Sequence, residues 1–288
     1  MRMEDEQESS NIEDRRGMRM PGGRAGGVGI GTIVLALAAS YFFGIDPATV
    51  IGVATQMQGG GQVQEVPARK PPADDEAARF VSKVLGSTER TWQEQFQRMG
   101  RQYEDPKLVL FSGGTPTACG TGQTAMGPFY CPLDHKVYID LAFYHELKTR
   151  FHAPGEFAQA YVIAHEVGHH VQNLLGISDK VQSAQQQAHS EGQANALSVR
   201  LELQADCLAG VWAAQANEAR HILESGDVEQ ALTAASAIGD DTLQKQASGR
   251  VVPDAFTHGT SDQRMRWFKR GIEGGDMNQC NTFKAASL

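Results

Sequence analysis

The stretch that most restricts the fold of this chain is residues 161–172, YVIAHEVGHHVQ. Within it, His165, Glu166 and His169 form the pattern HExxH. On an α-helix, two histidines four residues apart project from the same face and can both reach one metal ion. Catalytic zinc commonly takes three protein ligands, so a second element must supply another. The pattern therefore predicts a helix here and a zinc ion, Zn2+, shared with a distant part of the chain.

A candidate third ligand lies in LELQADCLAG, residues 201–210. Glu202 and Asp206 are four residues apart on a predicted helix, and their neighbours are mostly apolar, so both carboxylates need a buried partner. We expect Glu202 to complete a set of two histidines and one glutamate. Asp206 would accept the outer N–H of a ligand histidine. The alternative is an ordinary solvated acidic face.

Other polar residues are candidates for supporting roles. We expect Glu166 to act as the catalytic carboxylate, taking a proton from water and passing it to the leaving amine. His258, in THGTSDQR, could donate a hydrogen bond to a developing oxyanion, or it could be a loop histidine that caps a turn. Tyr161 could act in the same way, although an aromatic residue there more often belongs to the core. His170 points about 100° away from His169 around the helix, so we leave it out of the metal set.

The N-terminal part of the chain predicts a membrane segment. Residues 25–45 carry no charged side chain and are long enough to cross a bilayer core of about 30 Å as a helix. Arginines precede this run, whereas residues 45–68 contain no lysine or arginine, so the N-terminus is expected in the cytoplasm and the remainder outside the membrane. A cleaved signal peptide is the alternative, and the paired arginines of DRRGMRM are a weak signal for twin-arginine export.

Charge and cysteine content agree with an exported protein that does not bind nucleic acid. The formal net charge of -8 argues against a nucleic-acid partner, which needs a basic surface. In an exported domain, four cysteines favour disulfides over free thiols. We pair Cys119 with Cys131 across a glycine-rich loop, which leaves Cys207 for Cys280, although four cysteines allow three connectivities. A four-cysteine zinc site lacks any CxxC spacing.

The chain divides into four predicted parts. Residues 1–24 form a cytoplasmic polar segment, 25–45 a transmembrane helix, 46–74 a Gly/Pro-rich linker and 75–288 the folded domain. Asp75 is a candidate cap for the first of two helices, residues 107–111 and 136–141 read as strands, and the chain after residue 157 is strongly helical. The predicted fold class is α+β, mainly helical, with a small sheet.

The motifs HEVGHHVQ, ELQADCLAG, THGTSDQR and TACGTGQTAMGPFYCPLDHKVYIDL together closely resemble the putative neutral zinc metallopeptidase family of bacterial membrane-anchored proteins. The resemblance runs from about residue 75 to the C-terminus and includes the single N-terminal membrane segment. It implies a zincin-like domain with His165, His169 and Glu202 as ligands. It also implies Glu166 as the catalytic carboxylate and Asp206 as the residue that orients a ligand.

These features predict a membrane-anchored zinc metalloendopeptidase of the inner membrane, with its catalytic domain periplasmic or extracellular and a peptide or protein as substrate. By analogy, the strand at residues 136–141 would receive the extended peptide. One alternative is a non-catalytic, zinc-stabilised binding protein, although structural zinc is normally closed by four protein ligands. Another is a zinc amidase acting on a cell-envelope amide.

Overall fold

Helices account for most of the fold in a computed structural model that describes residues 1–18 and 69–288. This agrees with the predicted mainly helical α+β class. The predicted membrane helix and residues 46–68 of the predicted linker lie outside the described residues. Within the described ranges, no helix is both long and apolar enough to span a bilayer. The helices are α1 (Glu76–Arg98), α2 (Ala142–Thr149), α3 (Glu156–Leu174), α4 (Ile177–Gln186), α5 (Glu191–Arg220), α6 (Asp227–Ala237), α7 (Asp240–Ser248) and α8 (Ser261–Gly274).

A small mixed sheet packs beside the helices. Its strand order is β1-β2-β6-β5, with β2 parallel to both β1 and β6, and β5 antiparallel to β6. A separate two-stranded hairpin pairs β3 with β4. The two strands expected from the sequence are present as β2 and β6. The strands are β1 (Ile12–Asp14), β2 (Lys107–Phe111), β3 (Gly114–Thr117), β4 (Gly120–Gln123), β5 (Phe129–Cys131) and β6 (Lys136–Asp140).

The N-terminal part of the fold differs from the sequence-based expectation in two ways. Strand β1 lies in residues 1–18, so this polar segment is part of the sheet, whereas the predicted domain begins at Asp75. Helix α1 is one continuous helix, not two. Its predicted cap is present, since the Asp75 carboxylate accepts a hydrogen bond from the Ala78 amide at 2.9 Å.

Helix α3, which carries the HExxH pattern, lies in the centre of the core. Nearly all of its side chains from Phe157 to Val167 are buried, which explains why its apolar residues surround the whole helix. It packs against α1, α5 and α6. At its crossing with α5, a methyl group added to Gly168 would lie 3.1 Å from the carbonyl oxygen of Ala205. The glycine between the two motif histidines therefore lets the backbones of α3 and α5 approach closely.

Candidate metal centre

Three potential metal ligands converge where α3 and α5 cross. Nε2 of His165 lies 3.2 Å from Nε2 of His169 and 3.1 Å from Oε2 of Glu202. Nε2 of His169 lies 3.4 Å from Oε1 of Glu202. All candidate ligand atoms lie within 4.8 Å of one another. The structure thus brings together the three residues that the sequence selects as ligands.

The outer nitrogen of His165 is held by Asp206. Nδ1 of His165 lies 2.8 Å from Oδ1 of Asp206, and Asp206 is completely buried. An ionised carboxylate can only accept hydrogen bonds, so Nδ1 carries the hydrogen and Nε2 presents its lone pair to the site. Asp206 therefore has the position that the sequence suggests for a residue that orients a ligand.

A buried arginine keeps Asp206 ionised. Nε and Nη2 of Arg264, on α8, donate to the two carboxylate oxygens of Asp206 at 2.9 Å each. Burial disfavours the charged carboxylate, but Arg264 and His165 lower its pKa to about 2. Asp206 also accepts a hydrogen bond at 2.5 Å from the hydroxyl of Tyr161. Tyr161 is buried and its hydroxyl contacts Asp206 and Arg264, while the residue also borders the cleft.

A glutamine orients the second histidine. Nδ1 of His169 lies 2.9 Å from Oε1 of Gln172. The amide nitrogen of Gln172 donates to the carbonyl of Leu201 at 2.7 Å and to Oε1 of Gln204 at 3.1 Å. With its amino group engaged in this way, Gln172 offers only its oxygen to His169. The hydrogen on His169 is therefore also on Nδ1, and its Nε2 lone pair faces the same point as that of His165.

The donor set fits zinc. Two imidazole nitrogens whose lone pairs face each other at 3.2 Å repel unless a cation lies between them. Glu202 adds a negative charge at the same point, and although burial opposes a charged imidazole, Asp206 and Glu202 raise the pKa of His165, so that a cation at its Nε2, whether a proton or a metal ion, is favoured. The site thus favours positive charge. Two histidines and one glutamate form one of the usual ligand sets of catalytic zinc.

Glu166 and the three ligands line a large cleft, with a volume of about 1040 Å³. Glu166 is only 7% exposed, and burial raises the pKa of its carboxyl group despite the opposing effect of the neighbouring histidines. It is not one of the converging ligands. A carboxylate beside a metal site, but not coordinated in it, can accept a proton from a water molecule in the cleft.

His258 also lines this cleft, on the loop before α8. Its Nδ1 lies 3.2 Å from Oδ1 of Asp240, and its backbone amide donates to Oδ2 of Asp240 at 2.6 Å. The hydrogen bond to Asp240 raises the pKa of His258 above its usual value. The side chain remains half exposed. His258 is therefore a fixed group on the cleft whose charged form is favoured by Asp240.

His170 lies away from the metal ligands, as the helix geometry predicts. Its Nε2 contacts the carbonyl of Glu104 at 2.7 Å, and its Nδ1 lies 3.0 Å from the hydroxyl of Tyr130. Burial lowers the pKa of His170 to about 4. A neutral, hydrogen-bonded imidazole at this position connects α3 to the loop before β2 and to strand β5.

Disulfide bonds join Cys119 to Cys131 and Cys207 to Cys280, which is the expected pairing. The first closes a glycine-rich loop, and residues from this loop form one wall of the cleft. Cys119 is exposed, whereas Cys131 is buried. The second bond is buried and joins α5 to the 3-10 turn Met277–Cys280. Each disulfide therefore fixes an element that borders the candidate centre.

The prediction that the strand at residues 136–141 receives an extended peptide is wrong. Strand β6 lies between β2 and β5 and pairs with both, so its backbone groups are already used. Strand β5 pairs only with β6 among the described residues. Its Phe129 and Tyr130 line the cleft. Of the two edge strands of this sheet, β1 and β5, it is therefore β5 that borders the cleft.

Three supporting residues escape prediction from the sequence. Arg264 is distant in sequence from Asp206, and Asp240 is distant from His258, so only the folded chain joins each pair. Arg264 is the last residue of the motif THGTSDQR. A charged residue on the first turn of an amphipathic helix is normally expected to be exposed, so the sequence does not indicate that Arg264 is buried. Gln172 lies in the opening stretch itself, three residues after His169, a spacing at which helical side chains are neighbours.

Comparisons with known proteins identify one family and several relatives. The family model described as putative neutral zinc metallopeptidase matches residues 1–283. The uncharacterized protein YpfJ of Escherichia coli strain K12 is 51% identical over 296 residues, covering 98% of this chain and 99% of YpfJ. The uncharacterized protein Rv2575 of Mycobacterium tuberculosis strain H37Rv is 42% identical over 223 residues, covering 74% of each chain. No solved structure matches the chain.

Proposed function

Because this chain belongs to the putative neutral zinc metallopeptidase family, we propose that its metal centre hydrolyses peptide bonds, with Glu166 as general base and acid. The observation that carries this proposal is the convergence of His165, His169 and Glu202 at a cleft that Glu166 also lines. Structural zinc is usually closed by four protein ligands, whereas this cluster among the described residues has three. An open position favours catalysis over a purely structural role.

Zinc, when bound by these residues, supplies a Lewis acid that polarises a carbonyl group and favours deprotonation of water. Asp206 and Gln172 hold the two imidazoles with their Nε2 atoms toward the ligand site. Glu166 accepts a proton from water in the cleft and later donates it to the leaving amine. The imidazolium of His258 donates a hydrogen bond to the oxygen that becomes negative as the carbonyl is attacked.

The cleft favours peptides with an apolar side chain near the cleaved bond. Phe143, Phe151, Val162 and Leu243 line it together with the metal ligands. Burial of an apolar side chain against such a surface contributes about 25 cal/mol for each Å² removed from water. An extended peptide would pair its backbone with the free edge of β5, through those main-chain groups of the strand that point away from β6.

The proposal is tested by digesting a peptide mixture with the purified full-length protein. We expect cleavage beside apolar residues, one zinc per chain, loss of cleavage with a chelator and recovery when zinc is added back. Parallel incubation with cell-wall fragments distinguishes an amidase, which has the same metal chemistry. A chain that binds no zinc, or that binds zinc and cleaves no peptide, would refute the proposal.

The pH dependence should report on His258. Its Nδ1 hydrogen is donated to Asp240, so only the charged imidazole carries a second hydrogen, on Nε2, for the cleft. Because its pKa is raised, that form persists above the usual value of about 6.5 and is lost as pH rises through the raised pKa. We expect kcat/KM to fall on this alkaline side. His258→Gln should lower kcat/KM by about 100-fold at neutral pH and remove that limb of the profile.

Asp240→Asn provides the matched test of the same prediction. It removes the main cause of the raised pKa of His258 and keeps the size of the side chain. The alkaline limb should move to lower pH while the zinc content stays the same. An alkaline limb that is identical in wild type and both variants would assign the titration to another group.

Loss of the Cys119–Cys131 bond should affect the cleft more than the fold. Cys119→Ser/Cys131→Ser removes the link that closes the loop forming one cleft wall. We expect a loss of about 2–3 kcal/mol of stability at most, from the entropy of a short loop, and about a tenfold lower kcat/KM. Cys207→Ser/Cys280→Ser, which opens a longer loop, should cost more stability. Denaturant unfolding and peptide hydrolysis measure the two effects, and unchanged hydrolysis in the first variant would contradict a role for the wall.

The two disulfides also support a site of action in an oxidising compartment, outside the cytoplasm. Attachment to the membrane through residues 25–45 remains a prediction from the sequence.

A further inference from the structure

We propose that residues 1–18, here called the N-terminal segment, are an integral part of the metal-bearing domain and lie in the same compartment as the metal centre. The sequence-based topology instead separates them by one membrane crossing. The two arrangements are exclusive, because residues that pack together cannot lie on opposite sides of a bilayer. The inference does not depend on whether the centre cleaves peptides.

The first support is the sheet. Ile12, Glu13 and Asp14 pair in parallel with residues 108–110 of β2. The Leu108 amide donates to the carbonyl of Asn11 at 2.9 Å, and the Arg15 amide donates to that of Leu110 at 2.8 Å. Without the segment, this edge of β2 would expose unpaired backbone groups beside a buried core.

The second support is a close contact with α1. A methyl group added to Gly86 would lie 2.4 Å from the carbonyl oxygen of Gln7, so the segment crosses the helix where the helix has no side chain. One turn earlier, the Ser82 hydroxyl donates to the Ser9 carbonyl at 3.0 Å, and the Ser9 amide donates to the Ser82 carbonyl at 3.1 Å. A glycine in the middle of a helix costs stability, and here it makes room for the segment.

The third support is charge. Glu6 and Glu13 are only 5% and 6% exposed, and buried carboxylates require partners. Glu6 pairs with Arg220 of α5 at 2.8 Å and also with Arg90 of α1. Glu13 contacts Lys136 of β6 at 3.1 Å. The buried Glu6 and Glu13 are thus matched by basic residues from three elements of the domain.

The residues on either side of the interval 19–68 also lie close together. The Asp14 amide donates to the carbonyl of Arg69 at 2.7 Å, forming an antiparallel bridge across the interval of residues 19–68. Arg16 contacts the carboxylate of Asp75 at 2.7 Å. Both ends of the interval therefore belong to one folded unit.

Labelling of single cysteines in cells tests the inference. All four native cysteines are in disulfides, so Glu8→Cys and Val252→Cys each add one reactive thiol at an exposed site. A membrane-impermeant maleimide is applied to intact spheroplasts of cells that make the full chain, and permeabilised spheroplasts serve as the control. We expect both thiols to be labelled in intact spheroplasts, or both to be protected. Labelling of only one would overturn the inference.

A cross-linking experiment tests the contact itself. Glu8 and Arg79 form an exposed ion pair at 3.1 Å, so the double variant Glu8→Cys/Arg79→Cys should be joined within one chain by a short bis-maleimide in cells. Glu8→Cys/Val252→Cys is the comparison, since Val252 lies beside Gln244 of α7. We expect the yield of the cross-link within one chain to be at least tenfold higher for Glu8→Cys/Arg79→Cys than for Glu8→Cys/Val252→Cys. Equal yields would overturn the packed arrangement.

Discussion

Glu166→Gln is expected to lower kcat/KM for peptide hydrolysis by about 1000-fold while leaving the zinc content unchanged. The amide keeps the shape of the side chain but cannot accept a proton, and general acid and base catalysis contributes about 10²–10⁴-fold to such reactions. Zinc should stay bound because Glu166 is not one of the converging ligands. Steady-state kinetics on a cleaved peptide and metal analysis of the same sample measure both quantities.

The matched control is Glu218→Gln. Glu218 is exposed near the end of α5, the helix that carries Glu202, and the substitution makes the same chemical change away from the cleft. It should leave kcat/KM and zinc content unchanged. If Glu166→Gln retained full activity with zinc bound, another group would have to move the proton, and the proposed role of Glu166 would be wrong. If it lost zinc, the ligand set would need revision.

The parts of the site found from the sequence are those with a local signature. His165, Glu166 and His169 are fixed by helical spacing, and Glu202 and Asp206 stand out because carboxylates on an apolar helix need partners. Arg264 and Asp240 lack such a signature, because each meets its partner only when distant parts of the chain pack together. Gln172 has the spacing of a helical neighbour of His169, but spacing alone does not show that its amino group is engaged elsewhere and leaves its oxygen for the histidine.

The same distinction explains which strands and helices can be predicted from the sequence. Strands β2 and β6 were predicted because each is a run of apolar and β-branched residues. Strand β1 consists of only Ile12, Glu13 and Asp14, and two charged residues of three give no alternating pattern. Its acids are buried only because distant basic residues neutralise them. Helix α1 continues through Gly86, where packing against Gln7 offsets the low helix propensity of glycine, so the two predicted helices are one.

Arg264→Met should have the largest effect on stability. Arg264 is 3% exposed, and it is the only arginine or lysine that contacts the fully buried Asp206 among the described residues. Methionine fills a similar volume but leaves the carboxylate without its partner, and breaking a buried ion pair from one side costs about 3–5 kcal/mol. For a chain of this size, the melting temperature should fall by roughly 10 °C. Thermal and denaturant unfolding of the zinc-bound protein measure the loss.

Lowering the pH should reduce the difference in the free energy of unfolding between Arg264→Met and wild type. In wild type, the pKa of Asp206 is lowered to about 2, so its stabilising contribution is present above the unfolded value of about 3.9 and is lost as pH falls toward 2. Without Arg264, burial raises the pKa of Asp206. Acidification then protonates the carboxylate and removes the cost of burying an unpaired charge. A stability difference that does not change between pH 7 and pH 4 would show that the loss comes from packing alone.

The double variant Arg264→Met/Asp206→Asn separates the two functions of the pair. Removing both charges eliminates the unpaired carboxylate, so part of the lost stability should return, and a double-mutant cycle gives the coupling. The neutral Asn is a weaker acceptor for Nδ1 of His165, so zinc affinity should stay about 10–100-fold below wild type. Chelator competition measures that affinity independently of unfolding. Wild-type zinc affinity in the double variant would mean that Asp206 stabilises the fold without orienting the ligand, and that the geometry of His165 is fixed by packing on α3.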